Sequence, residues 1–138
     1  MTADCHALLG ANHLVTLEAR AAGGEAYLVA GQTGAAITEF EQVLAGREQA
    51  LGDDDLATLT ARNDLGSALA EMKRFDESIS MLELAAAARE RVLGPDDPDT
   101  LVTWSNLAFT YERAGRFYVA IELGRKTIAA RERVLGAF

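Results

Sequence analysis

A single cysteine, Cys5, stands among the 138 residues, so no internal disulfide can form. The opening Met1-Thr2-Ala3-Asp4 has neither the positive charge nor the apolar run of a secretory signal. Both features point to a cytoplasmic chain. No stretch approaches the roughly 20 consecutive apolar residues that a membrane-spanning helix needs. Positive charge is also scarce. Thirteen lysines and arginines against 21 aspartates and glutamates leave a formal net charge of −8. Such a surface repels phosphate backbones and anionic lipid, which argues against nucleic acid and membrane as partners. Proline occurs only twice, which leaves long stretches free of helix breakers.

What the chain has in quantity is alanine, leucine, arginine and glutamate, residues that lose little freedom in a helix. With 49% hydrophobic residues, a chain of this length can bury one core, and residues 1–138 are expected to form a single all-α domain.

The strongest signal is internal repetition. Leu9-Gly10, Leu51-Gly52, Leu93-Gly94 and Leu135-Gly136 recur every 42 residues. Thr16-Leu17, Thr58-Leu59 and Thr100-Leu101 keep the same offset, as do Ile37, Ile79 and Ile121. Charged segments such as Arg89-Glu90-Arg91-Val92 precede the Leu-Gly pairs, and the glycine suits a left-handed helix terminator. The following Asp53-Asp54-Asp55 and Pro95-Asp96-Asp97-Pro98-Asp99 can cap the N-terminus of a new helix. Each period therefore reads as turn, helix, turn, helix. Trp104, Leu107, Ala108 and Tyr111 form one helical stripe in the last period, with Arg62, Leu65, Gly66 and Leu69 one period earlier. Phe117, Ala120, Ile121, Gly124 and Ile128 share one side of the next helix, mirrored by Phe75, Ser78, Ile79, Leu82 and Ala86. The turns inside each period, at Gly31–Gly34, Met72–Arg74 and Arg113–Arg116, are short enough to force antiparallel packing.

A hairpin with Trp104, Leu107, Ala108, Tyr111, Gly115, Phe117 and Ala120 at these spacings resembles the tetratricopeptide repeat. The 42-residue length and the run from Leu93 to Leu101 look like the long variant of kinesin light chains and many bacterial regulators. The resemblance implies an α-solenoid, a right-handed superhelix of about three hairpins: residues 11–52, 53–94 and 95–136. Residues 1–10 are expected to be a partial helix closing a preceding repeat, because they align with the ends of the later second helices. The chain would then be a fragment of a longer array whose last helix presents an uncovered apolar side, open to homo-oligomer formation. Trp104, Tyr27, Tyr111 and Phe117 are expected in the core.

The function implied is protein–protein interaction, with a peptide or partner protein held in the concave groove lined by the first helix of each repeat. The alternative is a sensory or self-associating segment of a larger multidomain bacterial regulator. Groove candidates are Asn63, Ser67, Ser105, Asn106, Phe109, Glu112 and Arg113. Asparagines at Asn63 and Asn106 can donate to and accept from an extended peptide backbone, or they can brace neighbouring helices. Glu18, Glu25, Asp64, Glu71 and Glu112 make the groove acidic, favouring apolar or basic segments, although a solvated helix face accounts for the same charges. The lysines and arginines of a carboxylate clamp are missing from these positions.

Nothing points to an enzyme or a cofactor. Cys5, His6 and His13 match no zinc spacing. The aspartate runs lack the glycine and distal glutamate of a calcium loop, and there is no phosphate loop or nucleophile elbow.

Overall fold

The computed structural model describes the backbone of residues 3–136 and the side chains of residues 14–136. Among the described residues it contains six helices: α1 (Ala3–Val29), α2 (Thr33–Leu51), α3 (Leu56–Glu71), α4 (Phe75–Leu93), α5 (Pro98–Arg113) and α6 (Phe117–Gly136). Consecutive helices pack on one another in chain order, giving three hairpins, α1/α2, α3/α4 and α5/α6. Of the helices one repeat apart, α3 and α5 make the most extensive contact, so the first helices form the inner layer of the stack. No described helix is long and apolar enough to cross a membrane.

The helix starts follow from the acidic segments. Asp55 and Asp97 occupy equivalent cap positions in extended backbone, and each side chain accepts from the amide two residues on, Ala57 N and Asp99 N, at 2.9 Å. Pro98 then opens α5, where its missing N–H costs nothing. Gly52 and Gly94 have φ of 88° and 95°, as terminating glycines should, but their ψ of 171° and 163° is extended rather than left-handed helical. The chain therefore swings straight out toward the next cap.

Two expectations need correction. Helix α1 runs unbroken from Ala3 through Gly10 to Val29, so within the described part of residues 1–10, residues 3–10, no separate helix ends. The reason is local: Gly10 is followed by Ala-Asn-His, with no proline or aspartate cap to begin a new helix. Tyr27 and Phe117 are also not core residues. They are 39% and 59% exposed, whereas Trp104 and Tyr111 are buried as expected.

Two clusters make the core. One joins α2 to α3 through Ile37, Phe40, Leu44, Leu65 and Leu69. The other joins α4, α5 and α6 through Ile79, Leu82, Trp104, Leu107 and Ala130. Within the first two hairpins a glycine on the first helix meets a large side chain on the second. A Cβ on Gly24 would lie 2.6 Å from Phe40 Cε1, and one on Gly66 2.7 Å from Leu82 Cγ. Gly66 also gives up its carbonyl to the buried Ser78 hydroxyl at 2.6 Å.

The hairpins are tied to one another by a repeated polar device. Arg47 donates to Ala57 O at 3.0 Å, and Arg89, 42 residues on, donates to Asp99 O at 3.3 Å. Buried Arg89 also donates to Thr103 Oγ1 at 2.6 Å and Thr60 Oγ1 at 3.1 Å. On the surface, Arg91 pairs with Asp54 and Arg133 with Asp96 across the same sequence separation.

Within each hairpin the turn needs a positive φ, supplied by Gly31 (80°), Lys73 (62°) and Gly115 (83°). Lysine stands here against its steric preference, at a cost of about 1 kcal/mol. Lys73→Gly is expected to raise stability by about 0.5–1 kcal/mol in urea unfolding. Gly66→Ala is expected to lower it by about 1–3 kcal/mol, because Leu82 is itself fully buried and has little room to yield.

Candidate functional site on the inner helices

The exposed residues of α1, α3 and α5 supply the inner surface. The seam between α3 and α5 is closed by side chains predicted for the groove: Asn106 Nδ2 donates to Asn63 Oδ1 at 3.1 Å and to Ser67 Oγ at 3.4 Å. The Asn106 carbonyl accepts from Thr110 Oγ1 at 2.8 Å. The asparagines therefore brace adjacent repeats, the second of the two roles open to them. Their half-buried positions keep them at the groove surface.

Beside this seam lies a depression of about 340 Å³, lined by Ser67, Ala70, Glu71, Asn106, Phe109, Thr110 and Arg113. Phe109 is 57% exposed. The Arg113 guanidinium sits 5.6 Å from its ring centre and 5.7 Å from that of Phe75, so one cation holds two rings in place.

Five of the seven predicted residues thus meet at one place: Asn63, Ser67, Asn106, Phe109 and Arg113. Ser105 and Glu112 turn instead toward α6. Ser105 Oγ accepts from Arg131 Nη2 at 3.1 Å. Both residues line a second, larger depression of about 550 Å³ between α5 and α6, together with Phe109, Phe117, Ile121, Gly124 and Ile128. The apolar side of α6 was visible in the sequence; its joining with α5 residues into a groove was not.

Upstream, the inner face is acidic. Asp64 is pushed up to about 6, first by burial and then by repulsion from Glu25. The nearby Arg89 and Arg47, and a hydrogen bond with Asn63, pull the other way. No group of three or more metal-ligating side chains occurs among the described residues. The side chains of Cys5, His6 and His13 lie outside them.

Comparison with known proteins agrees with this fold. The profile of the tetratricopeptide repeat matches residues 24–83 and 55–133, most of the chain. The chain belongs to the tetratricopeptide repeat family. Nearly identical TPR-like repeats assigned to a kinesin light chain of Podosopora anserina share its fold, with a TM-score of 0.75 at 24% identity, over 86% of this chain and 56% of that one. BtubC (BKLC) from P. vanneervenii gives a TM-score of 0.80 at 15% identity, over 85% of this chain and 46% of that one. The chain thus spans about half the length of these solved relatives. No curated protein matches the sequence. Repeats of this family are in general protein-interaction modules.

Because the folded state holds Asp64 above its ordinary pKa, it favours the protonated form. The contribution of this group to stability is complete below the unfolded value near 4 and is lost as pH rises through about 6. Asp64→Asn is expected to raise stability on the order of 1 kcal/mol at pH 7.5 and to change it little at pH 3.5, as read from thermal melts.

Proposed function

We propose that this tetratricopeptide domain binds an apolar or basic segment of a partner protein on its inner face, a binding rather than a catalytic role. The observation that carries the reading is the depression beside the α3–α5 seam, where exposed Phe109 stands over hydrogen-bonding groups from two repeats. An exposed, oriented aromatic ring supplies affinity at low entropic cost. Ser67, Asn106 and Glu71 beside it offer donors and acceptors to a peptide backbone.

Charge supports the preference for basic segments. Glu18, Glu25 and Glu71 are exposed on α1 and α3, and Asp64 lies among them. A lysine or arginine of the partner placed there would favour ionised Asp64 and relieve its repulsion with Glu25.

The test is capture of partners from lysate of the parent cell, followed by titration of a peptide from the captured protein. Phe109→Ala is expected to weaken binding about tenfold or more. The double variant Asn63→Ala/Asn106→Ala is expected to lose the partner while helicity is kept. Affinity for a basic peptide should rise as pH increases through about 6, following ionisation of Asp64. Binding unaltered by all three changes would place the partner elsewhere on the molecule.

A further inference from the structure

The groove between α5 and α6 is the same kind of surface that α3 covers on the first hairpin and α5 on the second. Among the described residues nothing covers it: Phe117, Ile121 and Ile128 are 59%, 52% and 57% exposed. Gly124 stands at its centre, and no heavy atom comes within 4 Å of where its Cβ would be. Phe40 and Leu82 fill the equivalent positions of the other hairpins.

We propose that this groove is filled by α6 of a second copy of the chain, crossing antiparallel about a twofold axis at Gly124.

The groove is self-complementary about that residue. On α6 the groove is lined by the positions three, four and seven residues to either side of Gly124, which share one side of a helix; Phe117, Ile121 and Ile128 among them are exposed, and Thr127 is buried at the base. Antiparallel pairing through Gly124 brings position 124 plus n of one copy against 124 minus n of the other. Ile128 then meets Ala120, large against small. Phe117 meets the guanidinium of Arg131, whose cation suits an aromatic face. The charges also invert correctly. Glu112 of α5 lies beside Phe117 at one end of the groove, and Arg131 closes the other, held by Ser105. A twofold axis sets each Arg131 against the Glu112–Phe117 end of its mate, so both ends are satisfied twice by one contact type. The crossing point itself is glycine, which lets the two helix backbones approach closely.

The competing arrangement, with α1 of the second copy docking head to tail, is poorer. At the positions where α5 carries Trp104, Leu107 and Tyr111, α1 offers Arg20, Gly23 and Tyr27, and Arg20 is already engaged by Glu39. Such a contact would also leave a further groove open at every step.

The test is molar mass by light scattering from micromolar to millimolar chain, with disulfide trapping in a Cys5→Ser background. A dimer of twice the 14.8 kDa chain mass is expected. Gly124→Cys should oxidise rapidly to a covalent dimer, while Glu122→Cys, on the opposite side of α6, should not. Arg131→Glu and Glu112→Arg should each weaken the dimer about tenfold or more, and the two together should restore it. Circular dichroism confirms that each variant is folded. A monomer at every concentration overturns the proposal, including one that takes up a foreign helix. A dimer trapped through position 122 in preference to 124, or one whose charge reversals fail to rescue each other, overturns it equally.

Discussion

Each hairpin rests on one close approach between its two helices. On the first helix the contact residue is Gly24, Gly66 or Ala108; on the second, at matching positions, it is Phe40, Leu82 or Gly124. In the first two hairpins the absence of a Cβ admits a large side chain directly onto the helix backbone. That side chain is then buried almost completely and adds to the hydrophobic stabilisation of its hairpin. In the third hairpin both partners are small. There Gly124 lies in the open depression between α5 and α6, where Phe40 and Leu82 fill the matching positions of the other hairpins.

Much of this was legible in the sequence because repeats multiply weak signals. A lone glycine or a single Asp-Asp-Asp run says little, but Gly52 and Gly94, or Asp55 and Asp97, at one spacing say the same thing twice, and both pairs take the same conformation. Trp104 and Tyr111 were recognisable as core from the helical stripe, and they are buried. The stripe misled at Tyr27 and Phe117 because periodicity tells which side of a helix is apolar, not whether anything lies against it. The continuity of α1 through Gly10 has a related cause. A Leu-Gly pair ends a helix only when the following residues can begin another, and Ala11-Asn12-His13 cannot.

The polar seam was half legible. Asn63 and Asn106 could be placed on the inner helices from their offsets, but their separation of 43 residues, one more than the period, hid that they would meet. That extra residue rotates Asn106 by about 100° around α5 relative to the true equivalent of Asn63, which is Ser105. Asn106 thereby turns back toward α3, where Asn63 and Ser67 receive its amide. Ser105 turns the other way, to Arg131. A shift of one position thus divides the inner helix between two surfaces.

The arginines at 47, 89 and 131 carry this argument to the end of the stack. The first two reach a main-chain carbonyl in the first turn of the incoming helix, and buried Arg89 adds two threonine hydroxyls. A buried guanidinium is tolerable only when its donors are engaged. Arg131 has no later helix to meet among the described residues, and it bonds the exposed side of α5 through Ser105. Its charge therefore remains at the surface, at the far end of an apolar groove from Glu112. Among the described residues Arg131 thus marks one pole of the apolar groove, and the polarity of that groove follows from the internal repeat that built it.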